Sequence, residues 1–447
     1  MRRTLSALIA LLALVVSACA PGGAPAASQS TAPQGSAAAA ASGSTVTLEY
    51  YTALNEDEPY VKAYKQIIAD FEAAHPNIKV NVTYMGRQLA TKIRPILQSG
   101  KTPDIVDDDL QIMFAGLMKE GLLRDLTPDF STPAADGSGT WKDQWVAGSL
   151  DLLSIPGQLN TAPYWVSAKQ VFYDQRLFDK YGLTVPETWD ALMADCAKVK
   201  AAGLACFGQE GGYPYSNLAW MSELAARSIG GDALLKAAED KSGKTWLDPA
   251  YLAVAQKIYS IRQSGYFVPG FEGNQYPAGQ IDWVQGHSVF YNLDDWLPSE
   301  LVDKAPTGFV FRSFPFPAVD GKGTTEQVEM YQWGSSVFKN APHPAEAIEF
   351  LKFFTSPAEF KPLQTDYGFV STIKTTFPPL NNADSQKNIQ GATSIYPYLN
   401  GLVAKEPDYL NKVLFPLNDQ LLFNKLTPEQ FIQQVSDQTQ KFWASGT

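Results

Sequence analysis

"VTLEYYTALNEDEPYVKAYKQIIADFEAAHPNIKVNVTYMGRQLATKIRPILQSGKTPDIVDDD", residues 46–109, decides the fold class. Val46, Leu48 and Tyr50 alternate with Thr47, Glu49 and Tyr51, which is the period of a half-buried strand. "ALNEDEP" breaks the alternation. Pro59 suits the first turn of a helix, and Asn55, Asp57 or Glu58 can cap that helix or face its positive end. Val61, Tyr64, Ile68 and Phe71 recur at helical spacing until His75-Pro76 stops them. Ile78, Val80, Val82 and Tyr84 alternate again. Leu89, Ile93 and Ile96 return to the helical period, with a kink expected at Pro95 and an end at Gly100. Ile105 and Val106 form a third strand. The order β-α-β-α-β predicts an open, mostly parallel α/β sheet.

In such sheets ligands sit outside the carboxyl ends of the strands. Two loops occupy that edge, residues 51–58 and 107–111. The second holds three consecutive aspartates. Asp107 is read as closing the strand, while Asp108 and Asp109 are offered as acceptors for a ligand, with Gln111 beside them. The bland alternative is a solvated loop capping the next helix.

Outward from this core, the chain of 447 residues is long enough for two packed lobes. Its 46 acidic against 35 basic residues leave a formal net charge of −11, which argues against nucleic acid as a partner. "VFYDQRLFDKYGLTVPETWDALMADCAKVKAAG" reads as a strand, a short helix and a longer helix starting near Thr188. Trp189, Leu192, Met193, Cys196 and Val199 share one face of it. "LACFGQEGGYPYSNLAW" reads as a strand entering a loop rich in glycine and tyrosine. Thr427 and Pro428 open an amphipathic final helix. Cys196 and Cys206 form either a disulfide or two buried thiols.

The N-terminus is read as a leader. Arg2 and Arg3 precede an apolar run from Leu5 to Val16 that is too short to span a membrane comfortably. "VSAC", ending at Cys19, resembles a lipobox, so residues 1–18 are expected as a lipoprotein signal peptide and Cys19 as the lipidated residue. Cleavage after Ala20 is the alternative, with Pro21 against it. Residues 19–45 are expected as a disordered tether, since their Ala, Pro, Gly and Ser cannot bury enough apolar area to repay ordering. Such a tether spans about 30 Å root-mean-square.

"FEAAHPNIKVNV", "GKTPDIV", "FDKYGLTVPETWDAL", "DDWLPSEL", "FPFPAVDGKG" and "VFKNAPHPAEAIEFLKFFTSP" follow in order over nearly the whole chain from about Thr45. Together they resemble the extracellular solute-binding proteins, family 1 type, of bacterial ATP-binding-cassette carbohydrate importers. The resemblance implies a two-lobe periplasmic-binding-protein-like α/β fold of type II with a ligand cleft between the lobes. It places lobe one at residues 46–163 plus 325–375 and lobe two at 164–324 plus 376–447. It implies an extracytoplasmic protein, lipid-anchored to the bacterial cell membrane, that delivers a sugar or oligosaccharide to permease subunits, and a monomer without cofactors. One departure is visible. In "WVQGHSVFYNLDDWLPSEL", Gly286 and Trp296 match the family pattern, but Asp294 stands where a glycine is usual.

A sugar site needs flat apolar platforms for the C–H faces of a pyranose and bidentate groups for its hydroxyls. The candidates are Asp108, Asp109 and Gln111; Trp296 in the loop that the resemblance assigns to the ligand, with Asp295 before it; and Trp333 in "YQWGSSVF". Glu210, Asn217 and Trp220 form a further group after "CFGQEGG", and Tyr51 and Asn55 follow the first strand. Core packing is the competing reading for each tryptophan. "DDDLQ" lacks the alternating ligands and glycine of a calcium loop. His75, His287 and His343 are each isolated, and no Gly-x-Ser-x-Gly or phosphate loop occurs, so neither a metal site nor an enzyme is expected. A cationic solute, such as a polyamine or amino sugar, is the alternative, because aspartates with aromatics also suit an ammonium group.

Overall fold

The computed structural model describes residues 45–320, 326–374 and 377–446, which lie in one compact unit. Cys19 and most of the proposed tether fall outside the described residues. Among those residues, no helix is long and apolar enough to cross a membrane.

The opening unit forms as its periodicity dictates. Strands β1 (Val46–Thr52), β2 (Ile78–Tyr84) and β3 (Ile105–Asp109) enclose the helices Val61–Ala74 and Leu89–Gln98, the latter with Pro95 inside it. β1 pairs in parallel with both neighbours. The expected cap is not made: the helix Val61–Ala74 begins after Tyr60 with no side-chain cap, because Asn55 and Glu58 bond each other at 2.8 Å.

The remaining strands are β4 (Ala162–Asp174), β5 (Ala205–Gly208), β6 (Ser288–Asp294), β7 (Phe311–Phe314), β8 (Gln327–Val337) and β9 (Ser394–Pro397). Their order is β2-β1-β3-β8-β4-β6-β5, with β7 on β4 and β9 on β8. The sheet is therefore mixed rather than mostly parallel. β8 runs antiparallel to both β3 and β4, and β4 antiparallel to β6, because two long strands cross the middle of the molecule in opposite directions.

These two strands join separate apolar cores. One core gathers Leu48, Tyr50, Phe71, Ile105, Tyr164, Val337, Phe350 and Phe354. The other gathers Val171, Phe207, Trp220, Val254, Phe290, Leu421 and Val435. β4 begins in the first with Tyr164 and ends in the second with Val171 and Tyr173. A small cluster of Val166, Ala168, Val328 and Met330 lies between. At the crossing the strands approach closely. A Cβ on Gly334 would stand 2.6 Å from the Ala162 carbonyl oxygen, so glycine is needed there.

In the second core Cys196 and Cys206 are joined as a disulfide, from the helix Trp189–Ala201 to β5. Thr188 caps that helix through Ala191 N, and Thr427 with Gln430 forms a capping box on Pro428–Ala444.

Candidate functional site

The three aspartates of β3 have three different positions. Asp107 is fully buried. Its carboxylate accepts hydrogen bonds from the Tyr50 hydroxyl at 2.6 Å, the Tyr164 hydroxyl at 2.8 Å and the Trp333 indole N–H. It ties β1, β4 and β8 to β3. Asp108 is also buried and accepts from Asp109 N at 2.8 Å. Asp109 caps the next turn through Gln111 N at 2.7 Å and reaches a large cavity. Burial pushes Asp107 and Asp108 up to about 7 and Asp109 to about 6.

The cavity measures about 1150 Å³. It is lined from the first core by Tyr60, Arg87, Asp109, Trp165, Trp333 and Phe369, and from the other side by Tyr213, Tyr276, Asp295, Trp296, Glu300 and Tyr398. Trp165 is half-buried on β4 and stacks on Phe369 with centroids 4.6 Å apart. Trp333 lies 5.8 Å from Trp165 and carries the Arg87 guanidinium 5.0 Å from its ring centroid. Opposite, half-buried Trp296 meets the edge of Tyr276 at 6.4 Å.

Several of the charges on this wall are held by partners of their own. Asp294 is paired with buried Lys169 at 2.7 Å. Its side chain thus fills the expected glycine position with a neutralised ion pair, and the Lys169 ammonium also lies 5.0 Å from the Tyr398 ring centroid. Asp295 accepts from Ser167 Oγ at 3.0 Å and Ala168 N at 2.9 Å, and burial pushes it up to about 8. Glu300 accepts from the Tyr276 hydroxyl at 2.6 Å. Arg87 is bound by Glu58 at 2.9 Å.

Of the residues singled out in the sequence, Asp109, Asp295, Trp296 and Trp333 meet at this cavity. The others do not line it. Trp220 is a core residue, fully buried against Phe207 and Phe267, with its indole N–H on Gln209 at 3.1 Å. Asn217 is spent on fixing the loop, donating to the Gly211 carbonyl and Asp419, each at 2.9 Å. Glu210 is buried behind the wall and held up at about 7 by desolvation. Gln111 is buried, Tyr51 stays in β1, and Asn55 is exposed beside Glu58. His343 and His75 sit near Asp104 and Glu349, as structural histidines do.

Sequence reasoning missed Tyr60, Trp165, Tyr213, Tyr276 and Phe369. A signal was present for three of them. Tyr60, Tyr213 and Tyr276 each adjoin a proline, and an aromatic residue at such a break cannot be claimed by a regular helix or strand face. Trp165 gave no signal, since β4 is buried along nearly its whole length and shows no alternation.

A family model described as bacterial extracellular solute-binding protein matches residues 55–359. The chain belongs to this family. An uncharacterized ABC transporter extracellular-binding protein of Pyrococcus horikoshii is 26% identical over 383 residues, covering 80% of this chain and 84% of the relative. The diacetylchitobiose binding protein NgcE of Streptomyces coelicolor is 25% identical over 289 residues, 60% of this chain and 58% of that one. Among solved structures, the apo-form of RafE from Streptococcus pneumoniae has a TM-score of 0.75 at 19% identity, over 89% of this chain and 98% of that one. RafE in complex with raffinose has a TM-score of 0.67 at 19% identity, over 89% and 99%. The neighbours have the two-lobe type II fold of this solute-binding family, and membership in an extracellular family places the protein outside the cytoplasm. The relatives are solute-binding proteins rather than enzymes.

Proposed function

We propose that this solute-binding protein captures a carbohydrate in the cavity described above and delivers it to the permease subunits of an ATP-binding-cassette importer. One observation carries the reading: half-buried tryptophan and exposed tyrosine planes stand beside carboxylates already fixed by their own hydrogen bonds. Planes seat the apolar faces of a sugar, and fixed acceptors take its hydroxyls without an ordering cost. The ligands named for NgcE and RafE, diacetylchitobiose and raffinose, support it. A cationic solute is disfavoured because Asp294 is already paired with Lys169, Asp295 is bonded to Ser167 and Ala168 N and pushed up to about 8 by burial, and Arg87 adds a positive charge to the wall.

The two lobes are drawn at residues 46–163 plus 325–375 and 164–324 plus 376–447, a division supported by the two separate cores. The cavity between them is the cleft that ligand closes. The protein acts as a monomer.

A thermal-shift screen against a sugar panel tests the function. A bound sugar at 100 times its dissociation constant adds about 2.7 kcal/mol of stability. A shift with polyamines that fades with added salt, and none with sugars, sinks the reading.

We further propose that Cys19 carries a diacylglycerol anchor and that the tether lets the binding unit reach the permease. Cys19→Ala is expected to move the protein from the membrane fraction to the soluble one. Retention of the variant in the membrane fraction contradicts the anchor.

A further inference from the structure

Seven of the rings lining the cavity fall into two groups. Tyr60, Trp165, Trp333 and Phe369 are in mutual contact, with centroids 4.6 to 6.0 Å apart along Phe369–Trp165, Trp165–Trp333 and Tyr60–Trp165. They come from the segment before the first helix, from β4 and β8, and from the turn after the helix Pro357–Thr365. Tyr213, Tyr276 and Trp296 form a second chain, with centroids 6.4 Å apart at each step. They come from loops around β5 and β6. Among the described residues, no direct ring contact joins these two groups, although Tyr215 and Tyr398 extend the second chain to Tyr331 of β8. The first is rooted in one core, while Trp296 of the second packs against a smaller cluster around Trp283 and Leu297.

Each group has its own polar groups. Asp109 and Arg87 accompany the first. Glu300, bonded to Tyr276, accompanies the second, with Asp295 before Trp296. At about 1150 Å³ the cavity exceeds the upper end of the roughly 300–1,000 Å³ typical of pockets for drug-sized ligands. A single pyranose fills only a fraction of that volume.

Charge narrows the solute further. Arg87 is the one cation lining the cavity among the described residues, and Glu58, the Ala53 carbonyl and the Trp333 ring already engage it. A phosphate or uronate would meet a wall of carboxylates with no free cation pair to hold it. An ammonium would meet Asp294 and Asp295 already paired or hydrogen-bonded.

We propose that the solute is an uncharged oligosaccharide of at least two rings, with separate rings seated on the Trp165 and Trp296 platforms. This rests on the carbohydrate reading above and specifies it.

Isothermal titration with matched probes tests it: N-acetylglucosamine against diacetylchitobiose, galactose against raffinose, and glucuronic acid and glycerol 3-phosphate as charged controls. The better multi-ring probe is expected to bind about 30-fold tighter than its own single ring, since the second ring adds an aromatic anchor. Trp165→Ala and Trp296→Ala are each expected to weaken the multi-ring probe by about tenfold or more. Trp165→Phe and Trp296→Phe should restore most of that loss. Melting of each unliganded variant separates a binding loss from a folding loss. A single ring binding within a factor of about three of the multi-ring probe overturns the proposal while leaving carbohydrate binding intact. So does a charged probe that outranks the neutral sugars, or a platform variant that folds and binds normally. Failure of every sugar to bind overturns the carbohydrate reading and this proposal with it.

Discussion

Asp107→Ala lowers the stability of the protein by about 3–6 kcal/mol, because three buried donors lose their acceptor at once. Tyr50, Tyr164 and Trp333 all donate to this carboxylate, and Tyr50 and Tyr164 are fully buried in the first core. Tyr64 then donates to the Tyr164 hydroxyl at 3.0 Å, so the disturbance extends to the first helix. Asp107→Asn keeps one acceptor oxygen and is expected to fall between the wild type and Ala. Urea unfolding of the three proteins measures this, and a loss under about 1 kcal/mol for Ala refutes the anchoring role.

The same residue gives a pH signature. Burial raises the Asp107 pKa to about 7 in the folded protein, against about 3.9 for a free aspartate. Between those values the folded state keeps a proton that the unfolded chain has released. Stability therefore falls as pH rises through that window and levels off above it. Asp108, Asp109, Asp295 and Glu329 are shifted in the same direction, also by burial. The urea midpoint of the wild type is expected to be higher at pH 5 than at pH 8, with a shallower slope for Asp107→Ala. A midpoint that rises toward pH 8 contradicts this.

Arg227→Met is expected to cost about 3–5 kcal/mol, the usual result of leaving a buried partner charge alone. Arg227 is 3% exposed and bound on every side. It donates to Glu223, to the Tyr396 hydroxyl at 2.5 Å, to the Phe316 carbonyl at 2.8 Å and to the Gln327 carbonyl at 2.9 Å. Glu223 is fully buried, and its carboxyl is raised by desolvation but held down by Arg227 and Lys169. Beside it, Glu329 is pushed up to about 8, chiefly by burial and then by the Glu223 charge. Adding Glu223→Gln to Arg227→Met should recover part of the loss, because it removes the stranded charge. Additive losses in a double-mutant cycle would show that packing, and not charge, is the source of the cost.

Much of the fold was legible because it rests on local periodicity. β1, the first helix and β2 follow the alternation of Val46–Tyr50, the spacing of Val61 to Phe71 and the alternation of Ile78–Tyr84. Thr188 and Thr427 cap their helices as their positions suggest. The antiparallel centre of the sheet was hidden, because β8 finds β3 and β4 from more than 150 residues away, and no local pattern encodes a partner. The site was only partly legible for the same reason. Its aromatic residues arrive singly from loops and strands distant in the chain. Asp109 was found through the edge it occupies and Trp296 through the family resemblance, but Trp220, also a candidate, serves the core instead. Asp107 was read as closing a strand, and its larger role depends on Tyr164 and Trp333, which only the fold brings to it.

The interleaving of the two cores has a consequence for biogenesis. The first core includes residues from Leu48 to Ala404, and the second from Val171 to Phe442. Neither can be completed by a nascent chain until nearly all 447 residues have been made. An early N-terminal stretch holds β1, β2 and β3 but lacks β8, the strand that covers their open side. Such a chain stays loose while it is still attached to the ribosome. For a protein of an extracellular family, this topology delays compaction until after the window in which a translocation channel must receive an extended polypeptide.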